Sequence, residues 1–213
     1  MRFSARIRAL GLLALAAVLS SNVAEAQATG DAARSERLGY TCLGCHGIPN
    51  YKNAYPVYRV PKLRGQSPEY LVIALQAYRS RERSHGTMHA NAVSMSDQDM
   101  LDVATYLAGP VTAPAANAAP VGTPPAAAQV CVACHGNDGV GITPQYPTLS
   151  GQYEDYLVRA LTDYKKGGRR NAVMAGFAGQ LSDKDIKALA AYYSSQRSVL
   201  GTVPKRVSRL ATR

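Results

Sequence analysis

The chain has 213 residues, a formal net charge of +10, thirteen tyrosines and no tryptophan. Its four cysteines all lie in two Cys-x-x-Cys-His motifs, residues 42–46 and 131–135, which leaves no thiol for a disulfide framework. A basic balance can steer a protein towards nucleic acid, acidic proteins or anionic lipid. The export signal at the N-terminus argues against nucleic acid as a partner. Acidic proteins and anionic lipid remain as candidate partners.

The first 26 residues have the organisation of a secretory signal peptide. Three arginines precede an apolar run at residues 9–19, and Ala24-Glu25-Ala26 supplies an A-x-A cleavage site. Cleavage is favoured over a permanent anchor because the run is shorter than the roughly 20 residues of a membrane span. No other stretch is apolar enough to cross a bilayer. Loss of three arginines and one glutamate with this segment lowers the formal charge from +10 to +8.

The Cys-x-x-Cys-His spacing is the attachment signature of c-type haem. Two cysteines within about one helical turn can bond to two vinyl groups of one porphyrin, and the histidine follows as the proximal iron ligand. The candidate residues are Cys42, Cys45, His46, Cys131, Cys134 and His135. A thioredoxin-type disulfide would need a βαβ setting, and zinc-ribbon knuckles lie only about 15–20 residues apart. The sequence therefore predicts two covalently attached haem c groups, and with the leader it predicts a periplasmic protein.

The second half of the chain repeats the first at an offset of 86 positions. Residues 61–66 align with residues 147–152, and Met88 aligns with Met174. The haem motifs themselves are 89 positions apart, so the first copy carries three extra residues upstream of the aligned segment. The pattern indicates one domain written twice.

Each copy predicts helices and no convincing strand. Apolar residues recur with helical spacing in a middle helix and a final helix of each copy. These residues are Leu71, Ala74, Leu75 and Tyr78; Leu157, Ala160, Leu161 and Tyr164; Met100, Val103, Ala104 and Leu107; and Ile186, Leu189, Ala190 and Tyr193. Ser67, Ser96 and Ser182 are predicted N-caps. The expected fold is all-α, a tandem duplication wrapped around two haems.

The repeat and the composition together give the expected domain boundaries. They are a signal peptide at 1–26, a first domain at 27–108, a linker at 109–129, a second domain at 130–200 and a basic tail at 201–213. The linker has eight alanines, five prolines and no charged residue, which predicts an extended, semi-stiff segment. The tail, with four basic residues from Lys205 onward, is expected to be solvated.

The ligand at the sixth iron position separates an electron carrier from a catalyst, because a methionine closes the iron. In the second copy, Met174 is the one methionine after the haem motif, and no histidine beyond His135 competes with it. In the first copy the candidates are Met88, Met95, Met100, His85 and His89. Met88 is favoured because it aligns with Met174, whereas the other two methionines align with aliphatic core positions. His89 remains the alternative and would give a bis-histidine haem.

Pro61 and Pro147 are candidates for orienting the two haem histidines. A ligating histidine usually donates its second ring N–H to a carbonyl, and proline stiffens the segment that carries it. The alternative is a simple loop proline ahead of a helix.

These residues resemble the dihaem cytochrome c4 family. The resemblance rests on two Cys-x-x-Cys-His domains, each with Pro-x-Leu-x-Gly-Gln, a Tyr-Leu helix, a later methionine and a Ser-Asp final helix. It implies two class I cytochrome c folds packed face to face, with His46, Met88, His135 and Met174 as axial ligands and the carbonyls of Pro61 and Pro147 holding the histidines. It also implies a periplasmic carrier, often membrane-associated, that passes electrons from donors such as a cytochrome bc complex to a terminal oxidase.

Two other functions remain open at this point. The protein could be the electron-accepting subunit of a periplasmic dehydrogenase, or a haem peroxidase or gas sensor with one open iron. The last requires that Met88 is not a ligand. Neither nucleic acid nor a small-molecule substrate is expected.

The first copy departs from the family pattern in an insertion at residues 48–59. It contains three tyrosines beside Lys52 and Arg59. This tyrosine-rich segment could form a docking patch, cover a haem edge or line the interface between the domains. Whichever it does, the two haems should lie in unlike environments.

Overall fold

The computed structural model describes residues 32–110 and 118–204, and within them it is helical. The α-helices are α1 (Ala32–Gly39), α2 (Leu43–His46), α3 (Pro68–Arg79), α4 (Gly86–Ala92), α5 (Asp97–Ala108), α6 (Val132–His135), α7 (Glu154–Lys166), α8 (Ala172–Gly179) and α9 (Asp183–Ser194). Short 3₁₀ turns span Tyr40–Cys42 and Ala126–Ala128. The described residues contain isolated β-bridges and no extended strand. The all-α expectation is confirmed.

Two separate apolar cores follow from the predicted helical periodicity. In the first copy, α1 and α3 pack on α5, and all four apolar residues predicted for α5 are buried. In the second copy, α7 packs on α8 and α9, and the four predicted residues of α9 are likewise buried. Burial of one apolar stripe per helix provides the main stabilisation of each copy.

The predicted N-caps are present. The Ser67 hydroxyl accepts a hydrogen bond from the backbone N–H of Tyr70 at 3.2 Å, with Pro68 at the first helical position. Ser96 and Ser182 form complete capping boxes at the starts of α5 and α9. Each cap satisfies N–H groups that the helix leaves unpaired, typically a contribution of about 1 kcal/mol.

A pseudo-two-fold interface joins the two copies. The Gln66 side chain donates to the carbonyl of Thr148 and accepts from its N–H, both at 3.0 Å. Gln152 makes the same pair of 3.0 Å hydrogen bonds with the backbone of Lys62. Each residue of one pair lies 86 positions from its counterpart in the other. The duplication in the sequence therefore produces a contact that is symmetric between the two copies.

A second contact lies on the same symmetry axis. The Ser84 N–H donates to the Gly168 carbonyl at 2.8 Å, and the Arg170 N–H donates to the Glu82 carbonyl at 2.6 Å. Between them, Arg83 pairs with Arg169 in an antiparallel bridge. The axis passes through this bridge, just ahead of α4 and α8.

The segment after α9 crosses back to the first copy. Arg64 and Gly201 exchange backbone hydrogen bonds of 3.0 and 2.9 Å, and the Val203 N–H donates to the His46 carbonyl at 3.0 Å. Val203 is 1% exposed and belongs to the first core. The expectation of a solvated tail from residue 201 is therefore wrong for residues 201–203, because Val203 packs in the first core, whereas Pro204 is exposed. The basic residues from Lys205 lie outside the described residues.

The end of the predicted linker packs on the second copy. Gln196 holds the N–H and the carbonyl of Val121 through hydrogen bonds of 2.8 and 2.9 Å. Ala128 is 1% exposed in the second core. The expected linker boundary at residue 129 therefore lies too late, since burial of Ala128 makes it part of the second copy's packing. Residues 111–117 and the predicted signal peptide lie outside the described residues.

Within residues 32–110 and 118–204, none of the helices has the length and apolar character needed to cross a membrane.

Replacement of Val203 by alanine should destabilise the first domain. The substitution leaves a cavity in a closed core, so we expect the free energy of unfolding to fall by about 1–3 kcal/mol. Denaturant titration of the haem-loaded protein, followed by haem absorbance, measures this change. Val173→Ala is the matched control, because Val173 is 62% exposed. Equal unfolding midpoints for the two variants would contradict a stabilising role of Val203 in the first core.

Candidate haem sites

Each Cys-x-x-Cys-His motif lies on a short helical segment. Cys45 and His46 belong to α2, and Cys134 and His135 belong to α6, with the first cysteine of each motif directly ahead of the helix. All four thiols are free and half-buried. Burial raises the pKa of Cys42 and of Cys131. The described cysteines therefore form no disulfide and remain open to covalent attachment.

Both motif histidines are buried and fixed by a proline carbonyl. His46 Nδ1 lies 3.0 Å from the Pro61 oxygen, and His135 Nδ1 lies 2.9 Å from the Pro147 oxygen. Since a carbonyl oxygen only accepts, each Nδ1 carries the proton and donates it. Burial lowers the pKa of both histidines, partly opposed by this hydrogen bond. Each ring is therefore neutral, and its Nε2 lone pair is available to a metal.

The Pro-x-Leu-x-Gly-Gln turn explains how the carbonyl is placed. Gly65 and Gly151 have φ values of 82° and 68°, a region that glycine occupies without strain. A side chain at Gly65 would also collide with the Val199 carbonyl. The turn then delivers the following glutamine, Gln66 or Gln152, to the domain interface. One short segment thus orients the histidine and joins the domains.

The candidate methionines occupy equivalent positions on two short helices. Met88 is the third residue of α4 and Met174 the third residue of α8, and both are half-buried. The Met88 N–H donates to His85 Nδ1 at 3.3 Å, and the Met174 N–H donates to Asn171 Oδ1 at 3.0 Å. His85 and Asn171 are therefore N-caps. The alignment at offset 86 could have suggested this role for His85.

The end of α3 orients the ring of His89. Its Nδ1 lies 2.9 Å from the Tyr78 carbonyl, so this nitrogen donates to the end of α3. Met88 packs against the first core. Neighbouring helical residues point about 100° apart, and the two side chains therefore face different surroundings. The preference for Met88 at the iron stays a prediction from its alignment with Met174 and agrees with its packing on the first core.

The other first-copy methionines lie where the alignment placed them. Met100 is fully buried in the first core, and Met95 packs against that core. Neither stands at the position that corresponds to Met174.

The insertion lines the domain interface. Tyr58 is buried, its ring centroid lies 6.4 Å from that of Tyr156, and burial raises its pKa to about 12. The Arg59 N–H donates to the Asp155 carboxylate at 3.1 Å. Tyr55, in contrast, is 95% exposed. The segment therefore lines the interface, as one of its expected uses, with Tyr58 in the interface and Tyr55 on the surface.

Three comparisons with known proteins bear on this geometry. Residues 32–109 match the cytochrome c family model, and residues 125–192 match the model of cbb3-type cytochrome c oxidase subunit III. Cytochrome c4 of Azotobacter vinelandii is 41% identical over 78% of this chain and 90% of its own length. The thiosulfate dehydrogenase electron acceptor of Stutzerimonas stutzeri is 29% identical over 87% and 92% of the two chains. The crystal structure of reduced cytochrome c4 from Pseudomonas stutzeri matches with a TM-score of 0.60 and 28% identity, and the match covers 79% of this chain and 100% of that one.

Loss of the His85 cap should loosen α4. In His85→Ala, the Met88 N–H loses its acceptor, a change of about 1 kcal/mol in local stability. His85→Asn keeps an acceptor, as Asn171 does in α8, and should retain the stability. Hydrogen exchange of the Met88 amide tests both variants. Equal protection in wild type and His85→Ala would contradict the capping role.

Proposed function

Because the chain belongs to the dihaem cytochrome c4 family, we propose that it carries electrons in the periplasm between respiratory complexes, through two irons each closed by histidine and methionine. The protein is an electron carrier with two class I cytochrome c domains and two covalently attached haem c groups. We propose its axial ligands, its location, and its donor and acceptor.

The duplicated contact between histidine Nδ1 and proline carbonyl carries the ligand assignment. When bound, haem supplies a one-electron iron couple. His46 and His135 present neutral Nε2 atoms, and the proline carbonyls keep each ring in one orientation. Cys42, Cys45, Cys131 and Cys134 provide the thioether attachments. Together these residues can hold haem, and the proton on Nδ1 of each histidine does not have to move.

Met88 and Met174 complete the proposed ligand set. Each is carried by a helix whose N-terminus is capped by the side chain three residues earlier. When haem is bound, the thioethers of Met88 and Met174 would bind its iron and exclude exogenous ligands. The peroxidase or gas-sensor alternative, which needs an open iron, is therefore disfavoured.

Removal of one methionine ligand should halve a single spectroscopic signal. Iron–methionine bonding gives the oxidised protein a weak far-red charge-transfer band. We expect Met88→Ala and Met174→Ala each to lose about half of it. Met95→Ala is the matched control and should keep the whole band. Retention of the full band in Met88→Ala would contradict the assignment of Met88 as an iron ligand. His89 would then be the candidate ligand.

The proposed partners are redox proteins, with a cytochrome bc complex as donor and a terminal oxidase as acceptor. Electron-transfer contacts are usually small and transient. The formal charge of +8 expected after loss of the leader favours an acidic docking surface or anionic lipid. The leader predicted at residues 1–26 supports the periplasmic location, and peripheral membrane association is compatible with the basic charge.

Salt should slow the reaction with an acidic partner. The Debye length shrinks from about 30 Å at 0.01 M to about 3 Å at 1 M ionic strength, so electrostatic attraction weakens. Stopped-flow reduction of the protein by an acidic redox partner measures the rate, and an uncharged reductant serves as control. A rate that is flat across this range would contradict electrostatic docking.

A second candidate function shares the same sites. The likeness to the thiosulfate dehydrogenase electron acceptor of Stutzerimonas stutzeri spans nearly its whole length, which supports an acceptor role for a periplasmic dehydrogenase. Reduction of the purified protein by a thiosulfate dehydrogenase and by a cytochrome bc complex can be compared directly. Faster reduction by the dehydrogenase would favour this second function.

A further inference from the structure

A buried tyrosine of the second domain has no hydrogen-bond partner for its hydroxyl. Tyr193, on α9, is 3% exposed and belongs to the second core. Within residues 32–110 and 118–204, nothing forms a hydrogen bond with its Oη atom, which is itself buried. An unpaired buried hydroxyl costs free energy, because it has given up water without a replacement. The carrier function described above assigns this residue no role.

Close contacts hold the Tyr193 side chain beside the second haem motif. Its ring lies edge-on to the ring of Tyr192, with the centroids 5.1 Å apart. It also packs on Gly139, four residues after His135, so closely that a Cβ at Gly139 would lie 2.9 Å from Tyr193 Cδ1. Cys131, the first cysteine of the motif, packs against the same core. These contacts keep the hydroxyl inside the domain and near the point of haem attachment.

The Tyr193 hydroxyl and the Cys131 sulfur act on each other, although no hydrogen bond joins them. Burial raises the pKa of both groups; the hydroxyl then lowers the pKa of the Cys131 thiol, and Cys131 raises the pKa of Tyr193 further. These effects are the ones expected of an O–H group beside a sulfur atom. The Cys131 S–H itself donates to the Ala127 carbonyl at 3.5 Å. The sulfur lone pairs therefore remain available to a donor.

The first domain lacks this arrangement. At the offset of 86 positions, the counterpart of Tyr193 is Leu107, a buried residue of the first core. Cys42, the first cysteine of the other motif, packs against that core as well. A leucine offers no donor to a sulfur atom. The hydroxyl is therefore a difference between two otherwise similar haem sites.

We propose that Tyr193 donates a hydrogen bond to the thioether sulfur through which Cys131 holds the second haem, and that this bond raises the reduction potential of that haem. The inference rests on the proposed function, because it requires an iron that changes its oxidation state at this site. When a thiol adds across a vinyl group, the sulfur bonds to one carbon and the other carbon takes up the hydrogen. The sulfur of Cys131 then has no proton to donate and can only accept. The partner that the buried hydroxyl lacks is supplied in this way.

The direction of the effect follows from the dipole of the hydroxyl. Its positive end points at the attachment edge of the porphyrin and stabilises the additional electron of the reduced haem. Hydrogen bonding beside a haem is one of the means by which a protein sets the reduction potential. In a dry core such a dipole acts more strongly than in water. The second haem therefore gains potential that the first haem, beside Leu107, does not.

Tyr193→Phe removes only the hydroxyl and tests the effect on the iron. We expect the redox equilibrium of the second haem to shift about three- to tenfold towards the oxidised form, where tenfold is about 59 mV for a one-electron couple. The potential of the first haem should not change. Nuclear magnetic resonance signals of the haem methyl groups, assigned through contacts to Cys131 and Cys42, follow the two haems separately during a redox titration. An unchanged potential of the second haem would overturn the proposal.

Tyr192→Phe is the matched control. The Tyr192 hydroxyl belongs to the same helix and core, and it already donates to the Asn137 carbonyl at 2.8 Å. Its loss should lower the unfolding midpoint and leave both potentials close to those of the wild type. Equal shifts of the second potential in the two variants would overturn the proposal, because loss of any buried hydroxyl would then be sufficient.

The wild-type protein allows a direct test of the hydrogen bond. In the reduced state, low-spin iron is diamagnetic, and a buried, hydrogen-bonded hydroxyl proton exchanges slowly enough with water to be observed. We expect a Tyr193 hydroxyl signal with nuclear Overhauser contacts to the Cys131 β-protons. Absence of these contacts would overturn the proposal without any variant.

The far-red band of Tyr193→Phe separates this inference from the proposed function. A full band with a lowered second potential supports the hydrogen bond, because the methionine ligands are then still in place. A full band with unchanged potentials overturns the hydrogen bond and leaves the proposed carrier intact. Loss of half the band would assign the shift to Met174 and would also overturn the inference.

Discussion

The hydrogen bond from each haem histidine to a proline carbonyl is the contact on which the rest of the protein depends. It fixes the proton on Nδ1 and leaves Nε2 free in a buried, neutral ring. The same Pro-x-Leu-x-Gly-Gln turn carries the glutamine that pairs with the other domain's backbone. One structural feature, present twice, therefore orients the proposed iron-binding histidine and associates the domains.

The interface is symmetric in its backbone and asymmetric in its charges. The glutamine pairs and the Arg83–Arg169 bridge obey the offset of 86 residues, whereas Asp163, opposite Ala77, has no counterpart in the first domain. The tyrosine-rich insertion is likewise confined to the first domain and packs against α7. Two similar haem pockets thus acquire different electrostatic surroundings, which suits a carrier whose two irons need not share one potential.

The carrier and dehydrogenase-acceptor functions differ in the partner rather than in the haem chemistry. Both require closed irons and a path between the haems. The choice between them lies on the exposed surface, where Tyr55 and the basic residues are available to a docking protein. A dehydrogenase and a cytochrome bc complex would reduce the same protein through different surface contacts.

The sequence by itself determined the haem attachment, the duplication, the helices and their serine caps. Those signals are local, because a motif, a period of 3.6 residues or a cap involves residues within a few positions of one another. The alignment of the copies also selected Met88 over the other methionines. Only the tertiary structure decided the burial of Val203 in the first core, the packing of Ala128 on the second, and the meeting of Arg83 with Arg169. Each of these contacts joins residues that are distant in sequence, and such an isolated contact leaves no periodic pattern in the sequence.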